Sequence, residues 1–115
     1  MSLTPMQVEK RLVDLTKEVD DAHKDLVSAE QNYHTSKAAL EIAMARSRMA
    51  VSHPDFKLTS VQREDQALIE NAEQHMGLAI AEAQVKGARA NANRIRTQVD
   101  IARSISVSVR ASMEI

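Results

Sequence analysis

One apolar seam runs through the first half of this chain with alternating steps of four and three residues. It reads Val8, Leu12, Leu15, Val19, Ala22, Leu26, Ala29, Tyr33, Ser36, Leu40, Ala43 and Ser47. No charged residue interrupts it over about six heptads. That spacing keeps one stripe of an α-helix facing a partner helix, and it is incompatible with the period of two that a strand requires. The seam narrows from Val and Leu to Ala and Ser as it proceeds, which lets two helix axes approach closely.

The helix has a start and a stop. Thr4-Pro5-Met6-Gln7 combines a capping threonine, a proline at the first helical position and a glutamine able to close a capping box. Ser52-His53-Pro54-Asp55-Phe56-Lys57-Leu58 breaks the pattern, because Pro54 disfavours helical geometry at the residue before it. Leu58-Thr59-Ser60-Val61-Gln62 then restarts a helix, with Thr59 as cap and Gln62 at the capping-box position. The expected organisation is a single domain, 1–115, with a helix over 5–51, a loop over 52–58 and a helix over 60–113.

Two helices of similar length around a short loop form a hairpin. The apolar seam of the second helix reads Val61, Leu68, Ala72, Met76, Ala79, Ala83, Gly87 and Ala90, and Gly87 suggests that a neighbouring backbone packs close to it. Folding about the loop places residue i near residue 111 − i, so Ala22 is expected opposite Arg89 and Ala90. Charge fits the same order. Net charge is −3 over 1–35, +2 over 36–58, −4 over 59–85 and +5 over 86–110. An antiparallel pair sets the acidic stretch Glu9–Glu30 beside the basic stretch Lys86–Arg103, whereas a parallel self-pair aligns like charges. The fold class expected is all-α: a long antiparallel two-helix coiled-coil hairpin.

The C-terminal stretch carries a further stripe: Ile95, Val99, Ala102, Ile105, Val109 and Met113, widened by Ile101, Val107 and Ile115. Ser104–Val109 also alternates with period two, so a strand competes with helix there. The stripe begins before the alternation and no turn separates them, which favours helix. This end has more apolar surface than one facing helix covers. A homo-oligomeric helical bundle is therefore expected, with Ile101, Ile105, Val109 and Met113 as oligomerisation contacts.

Composition narrows function mainly by exclusion. Tyr33 and Phe56 are the only aromatics, and there is no cysteine, so disulfides and thiolate metal sites are ruled out. No stretch approaches the roughly 20 apolar residues of a membrane span. No basic-then-apolar signal opens the chain. A cytoplasmic location is expected, in the bacterial host if the gene is carried by a phage. His23, His34, His53 and His75 show no metal-ligand spacing. Glu64, Asp65, Glu70 and Glu73 favour the start of the second helix rather than paired-carboxylate catalysis, and no glycine-rich phosphate loop occurs. No enzyme activity, metal or cofactor is expected. His75, beside the seam, is expected to be a partly buried hydrogen-bonding residue.

Basic residues give the functional lead. Lys86, Arg89, Arg94, Arg96, Arg103 and Arg110 cluster in the second helix, where pairing with the acidic first helix competes with phosphate contact. Arg46, Arg48 and Lys57 cluster near the hairpin tip with few acidic neighbours in sequence. Phe56 is placed to stack on a base or to close the hairpin end.

The stretch Lys37-Ala38-Ala39-Leu40-Glu41-Ile42-Ala43-Met44-Ala45-Arg46, the polar loop, the helix opening near Ser60, and Gln98-Val99-Asp100-Ile101 before a Ser- and Ile/Val-rich end together resemble the phage recombination mediators. Those are all-helical homo-oligomers that load a recombinase onto single-stranded DNA. They are richer in aromatics and more basic than this chain. The resemblance implies Arg46, Arg48 and Lys57 as DNA contacts and Ile101, Ile105 and Val109 as assembly contacts. It implies as partners copies of the chain itself, single-stranded DNA, and a recombinase or single-strand-binding protein. The alternative expectation is a scaffolding coiled-coil protein of phage assembly with no nucleic-acid role.

Overall fold

The computed structural model describes residues 3–50 and 59–113. Three helices follow in order: α1 (Pro5–Ala50), α2 (Ser60–Glu70) and α3 (Ala72–Met113), with no strand among the described residues. The alternation Ser104–Val109 lies inside α3, so the strand alternative fails there. His53 and Ile115 fall outside the described residues.

Both helix starts form as their sequences direct. The Thr4 amide donates to Gln7 Oε1 at 2.9 Å, and the Gln7 amide donates to Thr4 Oγ1 at 3.2 Å. Thr59 and Gln62 repeat this reciprocal box at 3.0 and 3.2 Å. Each box satisfies two amides that the first helical turn leaves without intrahelical acceptors.

All twelve seam positions of α1 are buried or half-buried, while the residues between them are largely exposed. Leu15 is the most enclosed of its large side chains, at 1 % exposure. Burying such a side chain stabilises the fold by about 1.5–3 kcal/mol. The core is otherwise thin, resting on residues such as Val8, Ala22, Leu40, Ala67, Ala81 and Ile95.

The returning chain uses a different stripe from the expected one. Val61, Leu68, Ala72, Met76, Ala79, Ala83, Gly87 and Ala90 are all exposed. The buried or half-buried stripe is Ala67, Asn71, Leu78, Ala81, Val85, Ala88, Ala92, Ile95, Val99, Ala102, Ser106 and Val109. It too follows heptad steps, on the opposite side of the helix. It alternates Ala with larger Leu, Val and Ile, which suits interdigitation with the Val, Leu and Ala of α1. Gly87 consequently faces open space, with nothing within 4 Å of an added Cβ, and packs against no neighbouring backbone.

Contacts divide the chain into two units. The first comprises residues 1–28 and 86–115, and the second residues 29–85. In the first, the start of α1 lies antiparallel to the end of α3. Ala22 lines a cleft with Ala92, and Val8 lines one with Ser106 and Val109. The expected partners were Arg89 with Ala90 for Ala22, and Arg103 for Val8. The register therefore differs by about three residues, close to one helical turn. The change of stripe on α3 is the cause.

In the second unit, Leu40, Met44 and Ala67 form the core, with Leu78 packed against them. Here the expected continuous helix over 60–113 is interrupted. Asn71 adopts φ −112° and ψ 25° between α2 and α3. Its amide still donates to Ala67 O at 3.1 Å, and the His75 amide donates to Asn71 O at 3.0 Å. The Asn71 side chain is buried, and its Nδ2 donates to Ala67 O at 2.8 Å and to Ser47 Oγ at 2.9 Å. A short polar side chain that bonds its own preceding turn competes with regular helix geometry, which accounts for the interruption.

Candidate interaction surfaces

Of the tip cations, Arg48 is engaged by a carboxylate. Arg48 clamps Glu64 across the second unit, with Nε 2.6 Å from Oε1 and Nη2 3.1 Å from Oε2. A two-point arginine–carboxylate pair neutralises the cation that the sequence had marked for phosphate contact. Sequence proximity could not reveal this, because Glu64 lies sixteen residues away on α2. Arg46 is exposed near the end of α1. Phe56 and Lys57 lie outside the described residues. Tyr33 is half-buried on the seam, with its ring edge-on to His34 at 5.3 Å between centroids.

The basic part of α3 is more regular than a cluster. Arg89, Arg96, Arg103 and Arg110 recur every seven residues and are exposed. They form one row along the helix, with steps of about 10 Å. Arg96 and Arg103 share a cleft with Thr16, Val19, Asp20, Val99 and Asp100. This places basic α3 beside acidic α1 within the first unit, although no ion pair engages Arg96 or Arg103 among the described residues. Arg94 instead donates to Asn91 Oδ1 at 2.9 Å.

The four C-terminal contact candidates separate. Val109 is half-buried and lines the cleft with Pro5 and Val8, so it belongs to the intramolecular seam. Ile105 borders the exposed class and shares a shallow groove with Leu3, Ser104, Ser108 and Ser112. Ile101 and Met113 are exposed. Ile101, Ile105 and Met113 are thus the more exposed of the four.

No group of three or more His, Cys, Asp or Glu side chains able to hold a metal ion occurs among the described residues. No described helix is long and apolar enough to cross a membrane. His75 is half-buried as expected, although the stripe expected beside it is exposed, and its Nε2 is buried without the expected hydrogen-bond partner.

No known protein family, characterised protein or solved structure matches the chain.

Proposed function

We propose that this chain is a non-enzymatic helical hairpin that works by association, as a structural or scaffolding component that binds copies of itself. The observation carrying this reading is the apolar surface outside the hairpin seam. Ile42, Met49, Ile69, Met76, Ile80 and Ile101 are all at least half exposed, while four of the ten buried hydrophobic residues among those described are alanine. Isolated exposed apolar residues are ordinary, but long helices with apolar residues on two faces are characteristic of assemblies. Sedimentation equilibrium across a concentration series tests the reading. A mass that rises above the 12.7 kDa of one chain is the expected result, and a monomer throughout the series overturns it.

A second reading is supported by the arginine row on α3. It is a phage or prophage accessory protein of DNA recombination or replication, an oligomer that binds single-stranded DNA or its coating protein. Cations at regular intervals along one helix suit a polyanion. Titration with fluorescent single-stranded DNA at rising salt tests it. Binding that weakens steeply with salt, and is lost in the Arg96→Glu, Arg103→Glu variant, supports this reading. No binding at low salt removes it.

A further inference from the structure

The first unit carries two charged ridges of opposite pattern that its own fold keeps apart. On α3, Arg96, Asp100 and Arg103 are exposed and border one cleft with Thr16. Along the chain they alternate cation, anion, cation in steps of four and three. On α1, Asp14, Lys17 and Asp21 are exposed and alternate anion, cation, anion in steps of three and four. At 100° per residue these three point about 130–170° away from the buried stripe of α1, so they turn away from α3 of their own chain. Among the described residues no ion pair engages any of the six. Asp20 also borders the cleft and pairs with neither arginine among the described residues.

We infer that copies of the chain stand side by side in the same orientation, with the α1 ridge of one against the α3 ridge of the next. Three features fit a second copy as the occupant. The first is order. A neighbour facing the same way presents its α1 antiparallel to α3. Asp14 then meets Arg103, Lys17 meets Asp100 and Asp21 meets Arg96, so both ridges run in steps of three and then four. The second is level. Within one chain Thr16 shares a cleft with Arg103, and His23 shares one with Arg96. Asp14 and Asp21 precede those two α1 residues by two positions each, so the neighbour needs an axial shift of only about 3 Å. The third is the flanks. The same alignment sets Lys10 against Val107 and Lys24 against Asn93, so no like charges meet along the ridges.

Each copy keeps one ridge of each kind, on opposite sides of the unit. The contact is therefore heterologous, and the series can extend beyond two copies. Exposed ion pairs are individually weak and are screened by salt, so these ridges set direction and register more than they supply affinity.

This inference rests on the self-association proposed above and names a contact that orients it. Sedimentation equilibrium of the full chain at low salt tests it. Arg96→Glu with Arg103→Glu, and separately Asp14→Lys with Asp21→Lys, are each expected to weaken association by roughly fivefold or more, because like charges then face each other. An equimolar mixture of the two variants is expected to regain the wild-type mass, since each altered ridge finds its complement on the other variant. Rescue in the mixture also excludes misfolding as the cause of either loss. Lys37→Glu with Arg46→Glu makes the same change of charge at exposed positions of the second unit and is expected to keep the wild-type mass. An oligomeric wild type whose ridge variants keep its mass overturns the inference while leaving self-association standing. A mixture that stays dissociated, or a control that weakens association equally, does the same. A monomeric wild type overturns both.

Discussion

The side chain of Asn71 reaches from the junction of α2 and α3 to Ser47 on α1, with Nδ2 2.9 Å from the Ser47 hydroxyl. The same nitrogen donates to Ala67 O, and both bonds lie within a buried or half-buried environment. The bond to Ser47 is made in one register only, because a slip of one turn takes the Ser47 hydroxyl out of reach of the buried amide while the bond to Ala67 O stays. Asn71 thereby ties the interruption of the returning helix to one position along α1.

Replacing that side chain should cost stability in proportion to the bonds it makes. Asn71→Ala is expected to destabilise the protein by about 1–2 kcal/mol in urea unfolding. Ser47→Ala should cost less, about 0.5–1 kcal/mol. The double variant should fall short of the sum of the two, because one hydrogen bond is lost in both.

Leu15 offers the sharpest test of the α1 seam. Leu15→Ala removes the best-enclosed large side chain of α1 and should cost about 2–4 kcal/mol, with the midpoint of thermal unfolding roughly 10 °C lower. Val13→Ala, two residues away but 67 % exposed, should change stability by no more than about 0.5 kcal/mol.

The register of the first unit can be read by crosslinking. Ala22→Cys with Ala92→Cys should close an intramolecular disulfide under mild oxidation, since these small residues share one cleft. Ala22→Cys with Arg89→Cys should not, because disulfides demand Cα separations under about 7 Å. Linking by the second pair and not the first contradicts the register described above.

The Arg48–Glu64 pair should matter little for stability. Both side chains are about half exposed, and such pairs contribute roughly 0–1 kcal/mol. A double-mutant cycle with Arg48→Ala and Glu64→Ala should give a coupling of about 0.5 kcal/mol that fades at high salt.

Gly77 lies in the interior of α3 with open space where a Cβ would stand. Gly77→Ala should therefore stabilise the protein by about 0.5–1 kcal/mol through the lower backbone entropy of the unfolded chain. A loss of stability in thermal unfolding would indicate a neighbour at that position.

Local rules suffice to make α1 and both capping boxes legible in the amino-acid sequence. Capping pairs threonine and glutamine three residues apart, and the α1 seam is the one long apolar stripe of its helix. Periodicity alone therefore places all twelve positions correctly. The second half carries two apolar stripes of the same period on opposite sides, and periodicity does not say which one faces inward. Tertiary packing chose the stripe containing Val85, Ile95 and Val99, which moved the register by about one turn and left Ile69, Met76 and Ile80 outside. Packing likewise brought Glu64 to Arg48 and Asn71 to Ser47, partners sixteen and 24 residues apart. The sequence by itself determined where α1 and α2 begin and that the two halves of the chain pair. Only the tertiary structure decided which faces meet, because that choice depends on how side chains of α1 and α3 fit each other and not on either helix alone.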